Sequence, residues 1–243
     1  SFRVSGKRPE YWNPVTGEIT PCTLYDSDHN STTVALHLSK YESIYVVFSD
    51  KKEVPHYTSF TINGKKYFSP ASFRTTDSLS WWLWLEDNPA LMFARAGQFQ
   101  LEDDQGRQRD FQISKGTSVQ EVGGPWQIEF PRQDGSAHRI EAETLKSWTE
   151  YEDHFIRFYS GIVTYSTEIN LDSAFFTRNF RYYLDLGEVS EIARVIVNGS
   201  DSTVLWTPVK TMDVTEMLHP GTNRVEVHVA NTWHNKLAEE SRK

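Results

Sequence analysis

Apolar side chains recur at every second position in stretch after stretch of this chain, and a period of two is what a β-strand buried on one face requires. In "PWQIEF", Trp126, Ile128 and Phe130 alternate with Gln127 and Glu129. In "NRVEVHVA", Val225, Val227 and Val229 alternate with Arg224, Glu226 and His228. "GIVTYSTEI" aligns Val163, Tyr165 and Ile169, and "FRYYLDLG" aligns Phe180, Tyr182, Leu184 and Leu186. "RVIVNGS" brings Val195 and Val197 to an Asn-Gly turn, and "GQFQLEDDQGRQRDFQI" reads as a hairpin folding Phe99 and Leu101 back on Phe111 and Ile113. "TTVALHL" sets Val34, Leu36 and Leu38 on one face, and the unbroken apolar run of "SIYVVFS" predicts a strand buried on both sides. Helical patterns are scarce. A capping box in "MDVTEMLHPG", Asp213 with Glu216 three residues on, predicts one or two turns, and "EAETLKSWTEYED" predicts another short helix.

Short strands separated by turn signals make this an all-β chain of antiparallel β-sandwiches with only short helical turns. A first sandwich region spans residues 1–120, with an interruption near "DKKEVPHYTS" at about residue 51 that could divide it. "EVGGPW" marks a fresh start, and a second sandwich occupies residues 121–243. Phe2 and Val4 already alternate at the start, as in mid-strand, so the chain reads as a piece of a longer polypeptide.

Composition removes several function classes. The net charge is −8, and no Lys/Arg run exceeds two residues, so a groove for nucleic acid is not expected. No apolar run reaches the roughly 18 residues of a membrane span. A single cysteine, Cys22, rules out an internal disulfide and any multi-thiolate metal site. The eight histidines make no H-E-x-x-H or other close ligand pair, and no nucleophile elbow, P-loop or dinucleotide fingerprint is present. Asp26, Asp28 and Asn30 in "DSDHN" lack the glycine and distal glutamate of a calcium loop and read as a polar hairpin tip. "LEDDQG" and "TEYEDH" read as a turn and a solvated helix face. No catalytic residue, metal ligand or cofactor is assigned.

What remains is aromatic wealth: eight Trp, eleven Tyr and fourteen Phe. Tyr and Trp join an apolar body to a polar handle, which suits both sheet packing and sugar stacking. Trp82 and Trp84 in "SWWLWLEDNP" share a strand face and form either an interdomain contact or an exposed platform. The period-two pattern of the last strand breaks at "NTWHN", where Asn231, Trp233, His234 and Asn235 cluster. Two readings are open for that cluster. As a plug, the asparagine amides bond turn backbone and Trp233 fills the sandwich end, with His234 facing solvent; as a carbohydrate-binding site, the same residues join Trp206.

From residue 160 to 237 the succession D-L-G, V-N-G, W-x-P and N-x-W-x-N, in "YYLDLGEVSEIARVIVNG" and "VLWTPVKTMDVTEMLHPGTNRVEVHVANTWHNKL", resembles the galactose-binding-like jelly roll of large glycoside hydrolases, the sugar-binding domain type shared with family 2. "PEYWNPVTGEI", "TTVALHLSKYESIYVVF" and "GGPWQIEF" bring the resemblance closer to the C-terminal region of family 106 α-L-rhamnosidase-like proteins. It covers residues 8–49 and 122–237; after Leu237 the chain departs with Ala-Glu-Glu-Ser. The resemblance implies a C-terminal jelly roll in an accessory portion of a secreted bacterial enzyme, extracellular or periplasmic. Its partner would be a catalytic domain upstream in the same polypeptide, and its possible ligand an oligosaccharide.

Overall fold

The computed structural model describes the chain apart from residues 37, 39–40, 52–54, 69–80, 87, 94–95, 178–179, 209 and 242–243, and describes the backbone alone at 81–86, 88–93 and 201–203. Its residues fall into two compact units, Ser1–Val119 and Gln120–Lys243. The named ladders in both are antiparallel, and the chain is an all-β sandwich protein.

The first unit contains β1 (Arg8–Trp12), β2 (Ile19–Pro21), β3 (Tyr25–Ser27), β4 (Thr32–Val34), β5 (Tyr45–Ser49), β6 (Tyr57–Ile62), β7 (Lys65–Phe68), β8 (Trp81–Glu86), β9 (Asn88–Phe93), β10 (Gly97–Asp103) and β11 (Gln108–Ile113). They form sheets ordered β2-β1-β5 and β11-β10-β6-β7, with β3-β4 and β8-β9 as two-stranded ribbons. One core joins Leu24, Phe60, Ile62, Phe68, Phe99 and Leu101; another gathers Tyr11, Cys22, Tyr25 and Val34. The hairpin read at residues 97–113 is β10–β11, with Phe99 stacked on Phe111. Asp28 at the tip of β3–β4 accepts backbone N–H bonds from Asn30 and Ser31, so the "DSDHN" segment is a hairpin turn.

Two expectations change here. β5 lies at a sheet edge with Tyr45 64% exposed, where burial on both faces was expected. Only Val46 and Phe48 turn inward, Phe48 meeting Phe2 edge to face. β4 stops at Val34, and Leu38 is 48% exposed.

The second unit contains β12 (Trp126–Pro131), β13 (Ala137–Ala142), α1 (His154–Arg157), β14 (Ile162–Leu171), β15 (Tyr183–Asp185), β16 (Ile192–Val197), β17 (Ser200–Leu205), β18 (Thr211–Asp213), β19 (Gly221–Ala230) and α2 (His234–Glu240). Six strands form one sheet, β13-β12-β14-β19-β16-β17, and β15 pairs with β18 apart from it. One face of the six-stranded sheet is the core face. Trp126, Ile128, Phe130 and Val163 pack under Trp148 and Ile156 of the helical segment, and Ala193, Val195, Val197, Val225 and Val227 pack under Leu184, Met212 and Val214. Burying each large apolar side chain contributes about 1.5–3 kcal/mol. The segment expected to hold a short helix contains a 3-10 turn, Trp148–Glu150, followed by α1, whose N-cap Asp153 accepts bonds from the N–H groups of Phe155 and Ile156.

Of the one or two turns expected after Asp213, one forms. Asp213 accepts a bond from the Thr215 N–H as a cap would, but only a single turn follows, with the Val214 carbonyl accepting from Met217 and Leu218. A helix nucleus is costly, and with Pro220 close behind there are too few residues to propagate it.

Candidate functional site

The residues singled out in the second unit gather at one end of its six-stranded sheet. Ala230, the last residue of β19, lies between Ile162 of β14 and Ile192 of β16 in one cross-strand row. Leu205 closes β17 opposite Ala193, which lies opposite Val229, so Trp206 leaves the sheet at that same end. Val163 and Ala193 face the core, so Ile162 and Ile192 face the other way, and both are exposed, at 57% and 43%.

Asn231 fastens the strand exit. Its Oδ1 accepts from the Gly161 N–H, its Nδ2 donates to the Tyr159 carbonyl, and its own N–H donates to the Gly161 carbonyl. Asn235 Nδ2 donates to the same Tyr159 carbonyl, and the Lys236 N–H donates to Ser160 Oγ. Both asparagines thus bond backbone across more than 70 residues of sequence.

Trp233 is not a plug. It is the N-cap residue of α2 and 75% exposed. The reading of Trp233 as filler for the sandwich end is therefore corrected: the layer is closed by Trp148, Tyr159 and Phe130, which meet edge to face. His234 opens α2 and is exposed. That helix was missed, although "NKLAEE" is rich in strong helix formers.

Trp206 is 59% exposed on a loop with an unusual anchor. Lys210, only 3% exposed, donates from Nζ to the Glu191 carbonyl at 2.7 Å and to the Thr207 carbonyl at 2.5 Å. Burial lowers its pKa, and the two carbonyls take the ammonium's donors in place of water. The loop bearing Trp206 is thereby tied to the entry of β16. Trp206, Trp233 and the row Ile162–Ala230–Ile192 together place an apolar, aromatic margin at this sheet end.

Away from that margin the outer face is polar. Arg139 pairs with Glu129, and Glu226 takes His228 on one oxygen and Arg224 on the other. His228 does face outward, but it is half-buried and held 2.7 Å from Glu226. The hydrogen bond from His228 and the charge of Arg224, against some burial, hold the Glu226 carboxyl below its ordinary value.

In the first unit, a cleft of about 320 Å³ collects Asp26, Glu102, Asp103 and Asp104 with Thr58, Ser59 and Lys66. Asp26 comes from β3, Thr58 and Ser59 from β6, Lys66 from β7, and the other three carboxylates from the end of β10 and the turn after it, a convergence that spacing along the chain could not reveal. Asp103 is committed to its turn, accepting from the Gln105 and Arg107 backbone and pairing with the Arg107 guanidinium at 2.7 Å. Glu102 accepts a bond from Ser59 Oγ at 3.3 Å, and burial raises the Asp26 pKa. The turn reading of "LEDDQG" describes Asp103 correctly and misses the cleft.

The backbone of Trp82 and Trp84 runs in β8 opposite Met92 and Ala90; their side chains lie outside the described residues, so the platform expected there has no structural description. Among the described residues no group of three His, Cys, Asp or Glu side chains is placed to hold a metal ion, and no helix is long and apolar enough to cross a membrane.

No family model matches the chain. A putative beta-glucuronidase of Formosa agariphila is 34% identical over 116 residues, which is 48% of this chain and 10% of that protein. The solved structure of a rhamnosidase from Novosphingobium sp. PP1Y aligns with 97% of this chain and 17% of its own, at 26% identity and a TM-score of 0.62. The chain thus spans between a tenth and a fifth of the length of these relatives, and it is a β-sheet portion related to glycoside hydrolases.

Proposed function

We propose that this chain is a non-catalytic accessory portion of a secreted bacterial glycoside hydrolase, its parent activity rhamnosidase-like cleavage of plant or other polysaccharides. The observation that carries this reading is the end-to-end likeness to the Novosphingobium rhamnosidase, in which nearly all of this chain corresponds to a sixth of a much larger enzyme. In this reading a catalytic domain of the same polypeptide supplies the bond-breaking carboxylates, the C-terminal unit acts as a galactose-binding-like jelly roll, and the protein works outside the cell or in the periplasm. Among the described residues of the C-terminal unit, six strands form one sheet and two more pair apart from it.

The test is direct. The isolated chain, incubated with aryl rhamnosides and aryl glucuronides, should release no aglycone above the buffer rate. Turnover abolished by Asp26→Asn or Glu102→Gln would place an active site in the acidic cleft and overturn the proposal.

A second reading, a carbohydrate-binding module, gains support from the exposure of Trp206 and Trp233. Indole faces left in water at a sheet margin, beside the amides of Asn231 and Asn235 and the ring of His234, have the makings of a stacking site with polar neighbours. Under that reading an oligosaccharide shifts the tryptophan fluorescence, and Trp233→Ala removes the shift without lowering the melting temperature.

A further inference from the structure

The outer face of the sheet β2-β1-β5 carries a second aromatic surface, far in sequence from the C-terminal cluster. Along β1, Tyr11 points inward, where its hydroxyl donates to the Ala35 carbonyl. Arg8, Glu10 and Trp12 therefore share the opposite face. Trp12 lies directly across from Ile19 on one side and Tyr45 on the other. Directly opposed residues stand about 5 Å apart at Cβ, so the three side chains make one continuous row. They are 39%, 49% and 64% exposed respectively. Single exposed hydrophobics are ordinary on any protein surface; three in one cross-strand row are a patch.

One step along the same face stands a charged triad. Glu10 is 1% exposed. Its Oε1 accepts from Arg8 at 2.7 Å and from Lys51 Nζ at 2.9 Å, and its Oε2 accepts from the Trp12 indole N–H at 3.3 Å. The carboxylate thus fixes the indole and the ammonium beside one another before anything binds, which lowers the ordering cost of binding. The Lys51 ammonium brings a positive charge to this face of a chain whose net charge is −8. The Lys51 side chain is 60% exposed, and an ammonium has three donors, of which Glu10 takes one.

An aromatic row stacks on the C–H face of a sugar ring, and a fixed, exposed ammonium at its end receives a carboxylate. A nucleic acid would need a track of basic residues, and no Lys/Arg run in this chain exceeds two, whereas the relatives act in carbohydrate chemistry. We propose that Trp12, Tyr45 and Ile19 form a platform for a pyranose ring of an acidic saccharide, and that Lys51, held by Glu10 beside Arg8, receives its carboxylate. The inference rests on the carbohydrate-associated reading above and adds to it a site in the first unit and a class of sugar, the uronates.

The experiment compares methyl β-D-glucuronide with methyl β-D-glucoside, which differ at C6 in carrying a carboxylate or a hydroxymethyl group. The whole chain is titrated with each while the indole N–H resonances are followed by NMR. The expected result is a shift of the Trp12 resonance with the glucuronide and affinity for the glucoside at least tenfold weaker. Lys51→Met should erase that difference, and Tyr45→Ala should weaken binding at least tenfold. Both substituted side chains are largely exposed, so these variants keep the fold. Equal affinity for the two sugars in the parent chain, unchanged binding in Tyr45→Ala, or no response at Trp12 would each overturn the proposal. The two proposals fail separately: hydrolysis of aryl glycosides would sink the accessory role and leave the platform standing, whereas a silent Trp12 would remove the platform alone.

Discussion

Asn223 and Trp233 show how little residue type alone says about the work a side chain does. Asn223 is fully buried. Its Oδ1 accepts from the His219 N–H and from Asn198 Nδ2, and its Nδ2 donates to the His219 and Gly221 carbonyls. Asn198 in turn accepts the Arg224 N–H and donates to the Met217 carbonyl, so the pair fastens one end of the sheet. Truncation leaves several buried groups without partners, each costing about 1–3 kcal/mol. Asn223→Ala should therefore lower stability by about 3 kcal/mol in urea unfolding, while Trp233→Ala at an exposed position should change it by about 0.5 kcal/mol or less. A reversed order would restore Trp233 as a packing residue. Cys22 permits a prediction with a definite sign. Burial pushes its thiol up to about 12, above the ordinary value of 9.0, and burial likewise raises its neighbour Tyr11. An acid whose folded pKa is raised leaves stability intact below its unfolded pKa and reduces it above, because the unfolded state ionises first. Stability should be flat through neutral pH and fall between about pH 9 and 12, and Cys22 should resist a thiol reagent at pH 8 until the chain is unfolded.

At the scale of elements, local chemistry was legible where it suffices to decide the outcome. The Asn198-Gly199 turn sets both residues at positive φ, +52° and +79°, and joins β16 to β17 with no further residue between them. Gly199 meets no nearby atom, so space does not forbid a side chain there; the backbone conformation does. Gly199→Ala should cost about 1 kcal/mol, read as a lower midpoint with an unchanged denaturant slope. The alternation in β12 likewise identified its buried face, because every second residue must meet the core. The same rule failed for β5: an apolar run records what a strand is able to bury, while the edge position of β5 depends on which strand pairs with it from elsewhere in the chain. The capping box was legible as well, since Asp213 caps the single turn that follows it, at the short end of the one or two turns expected. Of the candidate site, the backbone bonding of the two asparagines was readable from their amides. The exposure of Trp206, fixed by a buried lysine reaching across to Glu191, depends on a contact between separate loops that no local pattern encodes.

For the whole molecule, the division of apolar surface settles what each half is able to do alone. Among the described residues, the cores around Trp126 and Val195 draw on the second unit and those around Phe60 and Tyr11 on the first. A region that closes its own hydrophobic layers and satisfies its sheet ends through Asn223 and Asn231 has what autonomous folding demands. Residues 120–243 expressed without the first unit should therefore unfold in a single cooperative urea transition, with tryptophan fluorescence and far-UV circular dichroism coinciding. Non-coincident or non-cooperative unfolding would mean that the second unit leans on the first for its stability. The same fragment then separates the two sugar surfaces, because it retains Trp206 and Trp233 and lacks Trp12, Tyr45 and Lys51. Saccharide binding that survives in the fragment belongs to the C-terminal margin, and a uronate preference that disappears with the first unit belongs to β1 and β5.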